Sequence, residues 1–148
     1  MSYALKILLI AWLGSLSLIN YASSEDIFCF VGDAGEVNQT QTLVVNALAQ
    51  SDCSVVWHLG DITQLGVKSI EDPELQESFL KPFKPFLDKK IPLYLIMGNH
   101  DYKGDPSVYL DVAKNYTSIF HPSNFYTKRF GELCFFALDT TIFDKLYY

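Results

Sequence analysis

After residue 25 the chain alternates apolar and polar blocks that read as strand, helix, strand, helix, strand, helix and hairpin. Residues 27–31 (IFCFV), 54–59 (SVVWHL) and 92–97 (PLYLIM) are short continuous apolar runs. Such runs mark strands buried on both faces. Between the first two, Asn38 and Thr40 are candidate caps for a helix over 40–50, with Leu43, Val44, Val45 and Leu48 as its apolar face. Between the second and third, Asp72-Pro73-Glu74 combines a cap, a first-turn proline and a first-turn acid. Pro82 and Pro85 then predict a kink or stop near Lys81. The KPFKPF repeat has an alternative reading as an extended proline-rich ligand. Lys81, Lys84, Lys89 and Lys90 read as a solvated face. Asp105-Pro106 caps a short helix reaching about Tyr116, and 125–130, Gly131-Glu132 and 133–138 read as a β-hairpin. The pattern is α/β: a mostly parallel central sheet flanked by helices, plus a hairpin. It shows no internal repeat and no interdomain linker.

The first 24 residues read differently. Lys6 precedes an apolar stretch over 7–19, diluted by Gly14, Ser15 and Ser17. As helix it spans roughly 20 Å, short of a ~30 Å hydrocarbon core. Ala22-Ser23-Ser24 places small residues where a signal peptidase reads. We read 1–24 as a secretory signal peptide and 25–148 as the mature domain, secreted or periplasmic. An uncleaved anchor and a buried first helix are the alternatives.

A length of 148 residues suits one domain, and 49% apolar with 19% charged residues is a globular composition. The net charge of −6 argues against a nucleic-acid partner. No apolar run is long enough for a stable membrane span. Export places Cys29, Cys53 and Cys134 in an oxidising compartment, where an odd count leaves one thiol free or paired between chains. Cys29 and Cys134 lie in apolar runs and read as buried small hydrophobes, with a Cys29–Cys134 bridge as the alternative if those strands are neighbours.

Candidate chemistry recurs at the strand ends. Each of the three apolar runs is followed by a glycine and then a polar ligand: Gly32-Asp33, Gly60-Asp61 and Gly98-Asn99. Ligands of open α/β sheets bind outside the carboxyl ends of the strands, so these side chains are expected to converge. Of the histidines, His58 sits within an apolar strand and reads as a satisfied core residue. His121, before Pro122, reads as a surface loop residue.

GDAG, HLGD and LIMGNHDY, in this order, resemble the N-terminal half of a calcineurin-like metallophosphoesterase. The GDAG opening, DPELQESFLKPF and SNFYTKRFGELCFFALDT are similar to the tartrate-resistant, purple acid phosphatase branch. The resemblance implies an α/β/β/α sandwich, of which this would be the N-terminal half. It implies a phosphate ester substrate and two divalent or trivalent ions drawn from iron, zinc, manganese and magnesium. Such a pair clamps a phosphoryl group and acidifies bound water. By resemblance Asp33 binds the first metal, Asp61 bridges both, and Asn99 binds the second. His100 would stabilise phosphoryl charge or protonate the leaving alcohol, with Asp101 orienting its imidazole.

The chain departs from that pattern. Gly35 stands where the common D-x-H opening has histidine, and Gln64 where the purple branch has tyrosine. Gln64 would offer an amide oxygen, and no iron–phenolate charge transfer is expected. The family's Gly-His-x-His motif does not occur before Tyr148. The expected reading is a truncated, weakly active or inactive phosphoric ester hydrolase. The alternatives are a non-catalytic binding module keeping the half-fold, or one half of a split enzyme joined by a C-terminal-half chain.

Overall fold

The computed structural model describes residues 26–144; the expected leader lies outside the described residues. The three apolar runs form β1 (Phe28–Val31), β2 (Val55–His58) and β3 (Leu93–Leu95). A fourth strand, β4 (Ile119–Phe120), is too short for a pattern to announce. The sheet order is β1-β2-β3-β4 and every pair is parallel. Val31 lies opposite His58, and His58 opposite Leu95, so the first three strands run out along one edge.

Strand side chains alternate between faces. Cys29, Val31, Val56, Leu93 and Leu95 join the core under the helices, whereas Phe28, Val55, Trp57 and Tyr94 meet the hairpin. Both faces of β2 and β3 are covered, as their continuous apolar runs predict, whereas β1 departs from that expectation with Phe30 51% exposed. The helical layer begins with α1 (Gln39–Gln50), capped by Asn38, whose Oδ1 accepts from the Gln41 N–H at 2.8 Å. Its expected apolar face holds at Val45 and Leu48, which pack on the core, and is corrected at Leu43 and Val44, which are 63% and 47% exposed while Gln41 is buried. The Gln41 amide donates to the carbonyls of Ala34 and Ser78, both at 2.6 Å. Those bonds pin Gln41 inward and rotate Leu43 and Val44 to solvent.

Asp72 caps α2 (Pro73–Leu75), which continues as a π-helical turn over Gln76–Leu80. The helix breaks before Pro82 and restarts as α3 (Lys84–Asp88), so KPFKPF is a turn running into a helix rather than an extended ligand. Phe79, Phe83 and Phe86 fill the core, and all four lysines are exposed. A 3₁₀ turn over His100–Lys103 precedes α4 (Ser107–Asn115). The hairpin is as expected, β5 (Phe125–Phe130) with β6 (Leu133–Leu138), and a short α5 (Thr141–Asp144) follows. Trp57 stacks on Tyr94 at 4.7 Å and on Phe135 at 5.3 Å between centroids, joining sheet to hairpin.

The disulfide joins Cys29 to Cys53, with Cα atoms 5.8 Å apart. The Cys29–Cys134 pairing and the buried reading of Cys134 are both corrected. Cys29 faces the helical layer, where Cys53 enters β2, while Cys134 is exposed on β6 opposite Arg129. The bridge spans 24 positions, and a loop of that size stabilises by about 3 kcal/mol through the unfolded chain. The double variant Cys29→Ala/Cys53→Ala should therefore lose about 3 kcal/mol in urea unfolding, while Cys134→Ser stays within about 0.5 kcal/mol of the parent. Equal losses in both would contradict this assignment.

Candidate functional site

The strand ends build one cavity. Asp33, Asp61 and Asn99 line a space of about 430 Å³ together with Leu138 at the end of β6 and Thr140 and Thr141 just after it. Asp33 and Asp61 both have φ of +51°, a left-handed conformation that non-glycine residues seldom adopt and that concentrates at functional sites. The two turns are tied together by the Asp33 N–H, which donates to the Gly60 carbonyl at 3.0 Å. Asp61 is held by the His100 N–H, which donates to its Oδ1 at 2.9 Å. Gly98 is required by this approach, since a Cβ there would fall 2.3 Å from Asp61 Oδ1.

The remaining sequence candidates sit around these three. The Gln64 amide donates through Nε2 to Asp33 Oδ1 at 3.2 Å, presenting a donor where an oxygen was expected. The His100 ring lies beside the loop after β2. Its Nδ1 is 2.9 Å from the Gln64 carbonyl and 2.6 Å from Lys103 Nζ, which itself donates to that carbonyl at 3.1 Å. A carbonyl only accepts and an ammonium only donates, so Nδ1–H meets the Gln64 carbonyl in one ring tautomer and bare Nδ1 accepts from Lys103 in the other. Asp101 was expected to orient this imidazole; its carboxylate bonds elsewhere. Oδ1 accepts from the Thr63 N–H at 3.0 Å and the Tyr109 hydroxyl at 2.9 Å, and Oδ2 from the Gly98 N–H at 2.9 Å. Burial raises the Asp101 pKa, opposed by the bonds from Gly98, Thr63 and Tyr109.

The other two histidines lie away from the cavity. His58 is buried as expected, but neither ring nitrogen has a hydrogen-bond partner, and burial lowers its pKa to about 3. His121 is not a surface residue: it is 3% exposed, with Nδ1 donating to the Leu95 carbonyl at 3.1 Å. Pairing between β3 and β4 stops at Tyr94 and Phe120. The Leu95 carbonyl beyond it is therefore taken by side chains, His121 and the Tyr126 hydroxyl at 2.7 Å. Lys103, Thr63 and Tyr109 were missed by sequence reasoning. Only Lys103 carries a local signal, three positions after His100 on one helical turn.

The donor set does not fit a two-ion centre. Asp33, Asp61 and Asn99 bring three side chains to the cavity, where two ions would each take about four to six ligands. A Cβ on Gly35 would lie 2.7 Å from the Thr63 backbone, so that position cannot carry a ligand without moving the loop. Among the described residues no group of three or more His, Cys, Asp or Glu side chains could hold a metal.

Comparison with known proteins places this geometry. The chain is 38% identical over 100 residues to purple acid phosphatase 4 of Arabidopsis thaliana, covering 61% of this chain and 29% of that protein. It is 33% identical over 81 residues to human tartrate-resistant acid phosphatase type 5, covering 51% and 25% respectively. The chain thus spans less than a third of the length of these relatives. A solved structure, described as GAP50, the anchor in the inner membrane complex of Plasmodium, matches with a TM-score of 0.58 at 20% identity. The match covers 74% of this chain and 39% of that one, and shows a shared fold. The calcineurin-like phosphoesterase family matches residues 16–147. With the Gly-Asp, Gly-Asp and Gly-Asn turns gathered at one sheet edge, the chain belongs to the calcineurin-like phosphoesterase family.

Proposed function

We propose that this chain supplies the aspartate–asparagine part of a secreted, metal-dependent phosphoric ester hydrolase site and that the 148 residues alone are weakly active or inactive. The observation that carries this is the shared cavity of Asp33, Asp61 and Asn99, with Gln64 donating into Asp33. Ionised carboxylates only accept hydrogen bonds, so Asp33 and Asp61 repel a phosphate dianion unless a cation stands between. When bound, ions would supply that charge and an acidified water. Asp61 and Asn99 would hold one. His100 would present Nε2 to the phosphoryl group, with the ring held through Nδ1 by Lys103 and the Gln64 carbonyl. Asp101 is a positioning residue for the two loops.

The Cys29–Cys53 bridge supports an oxidising compartment, secreted or periplasmic. Among the described residues no helix is long and apolar enough to cross a membrane. The second reading, a non-catalytic binding module, is favoured by the Gln64 bond and the closed space at Gly35. A protein of the same fold is described as an anchor.

The purified chain should show little or no turnover of 4-nitrophenyl phosphate above a metal-only control with manganese, zinc or iron. Substantial turnover abolished by Asp61→Ala would overturn the proposal. The downstream coding sequence separates its two forms: a Gly-His-x-His motif there supports one half of a hydrolase, and a stop codon the binding module.

A further inference from the structure

A second concave site lies on the opposite flank of the sheet, beyond β4. It is a groove of about 510 Å³ between α4 and β5, within the size range of small-ligand sites. Its walls are aromatic: Tyr94 stacks on Phe120 at 4.9 Å between centroids, and Tyr126 faces them from the hairpin. No carboxylate lines it, although the chain carries a net charge of −6. Two lysines do, Lys114 and Lys128.

Lys128 is the unusual one. It alternates with Tyr126 and Phe130 on the sheet-facing side of β5, and its ammonium lies 5.7 Å from the Tyr94 ring centre and 5.6 Å from that of Phe130. Lys114 pairs with Asp111, but among the described residues no carboxylate comes within 4 Å of the Lys128 Nζ. A half-buried cation held only by ring faces retains most of its demand for an anion. His121 adds a polar group at the groove wall. Its Nδ1–H is committed to the Leu95 carbonyl, so the nitrogen left to meet an occupant is Nε2, a bare acceptor on a ring that is 3% exposed. Burial lowers the His121 pKa and keeps that nitrogen available as an acceptor.

We infer that this groove binds a small aromatic anion, its ring against Phe120 and Tyr126, its negative group on Lys128 and a hydroxyl or N–H donor on His121. The inference is independent of the phosphoesterase reading, because none of the groove residues belongs to the strand-end cavity. It uses charge complementarity as well as shape: an alcohol of the same size leaves Lys128 unpaired, and an aliphatic acid forfeits the stacking.

The test is a titration of the ¹⁵N-labelled chain followed by amide chemical shifts, with three probes. 4-Hydroxyphenylacetate supplies ring, anion and donor; phenylacetate lacks the donor; 2-(4-hydroxyphenyl)ethanol lacks the anion. Saturable shifts are expected at Ala113, Tyr126, Thr127 and Lys128 with the first probe. Loss of the donor should weaken binding about threefold to tenfold, and loss of the anion about tenfold or more. Lys128→Met should erase the advantage of acid over alcohol. Ala113→Leu, which fills the groove from α4, should weaken all three. Unchanged shifts elsewhere show that each variant is folded. Equal binding of acid and alcohol, shifts centred on Asp33, Asp61 and Asn99, or no saturable shift with any probe would overturn the inference.

Discussion

Replacing His58 with leucine should flatten the acid limb of the stability profile. The imidazole lies in the helical core, 5.9 Å from the Phe79 ring centre and 5.4 Å from that of Phe83, with neither nitrogen bonded. Burial lowers its pKa from 6.5 to about 3. Above pH 6.5 the ring is neutral in both folded and unfolded chains and contributes no pH dependence. Below it the unfolded chain takes up a proton that the folded chain refuses. Stability then falls by about 1.4 kcal/mol per pH unit, reaching a loss of about 5 kcal/mol near pH 3. Urea unfolding at pH 7.5, 6.0 and 4.5 reads this slope directly. The parent should lose about 3 kcal/mol between pH 7.5 and 4.5 from this group, and His58→Leu none of that increment. The variant should also gain about 1–3 kcal/mol at pH 7.5, because two buried nitrogens no longer go unsatisfied. Parallel profiles for parent and variant would refute this account of His58.

The sequence is most legible where structure is local. The hairpin boundaries follow from alternation on either side of Gly131-Glu132, and β1 to β3 from continuous apolar runs, which both layers cover in β2 and β3. The Gly-Asp and Gly-Asn turns are equally readable, since each places its ligand one step past a strand. What escaped depends on partners distant in sequence. The inward face of α1 is set by Gln41, whose amide reaches the Ser78 carbonyl 37 positions away. Cysteine pairing depends on which strands are neighbours. β4 has two residues, fixed by the Tyr94–Phe120 stack rather than by its own pattern. His121 is buried because pairing between β3 and β4 stops early and leaves a carbonyl to satisfy.

Asp101 is the most consequential of these non-local residues. It reads from the GNHD motif as a partner of His100, and its bonds assign it other work. Thr63 follows Asp61 by two positions, Gly98 directly precedes Asn99, and Tyr109 stands on α4; all three donate to the one buried carboxylate. Asp101→Ala strands these donors away from water and should cost about 3–5 kcal/mol. Asp101→Asn keeps one oxygen as acceptor but can set an amide N–H against the Gly98 N–H, and should cost about half as much. His100→Ala removes a half-buried ring from the 3₁₀ turn and should cost under about 1 kcal/mol. Hydrogen exchange at the Thr63 and Gly98 amides should accelerate in both Asp101 variants and stay slow in His100→Ala. An Asp101→Ala chain that unfolds at the parent midpoint, with both amides still protected, would return this carboxylate to the role its motif suggests. The expected pattern instead makes it the brace that brings Asp61 and Asn99 to the same cavity.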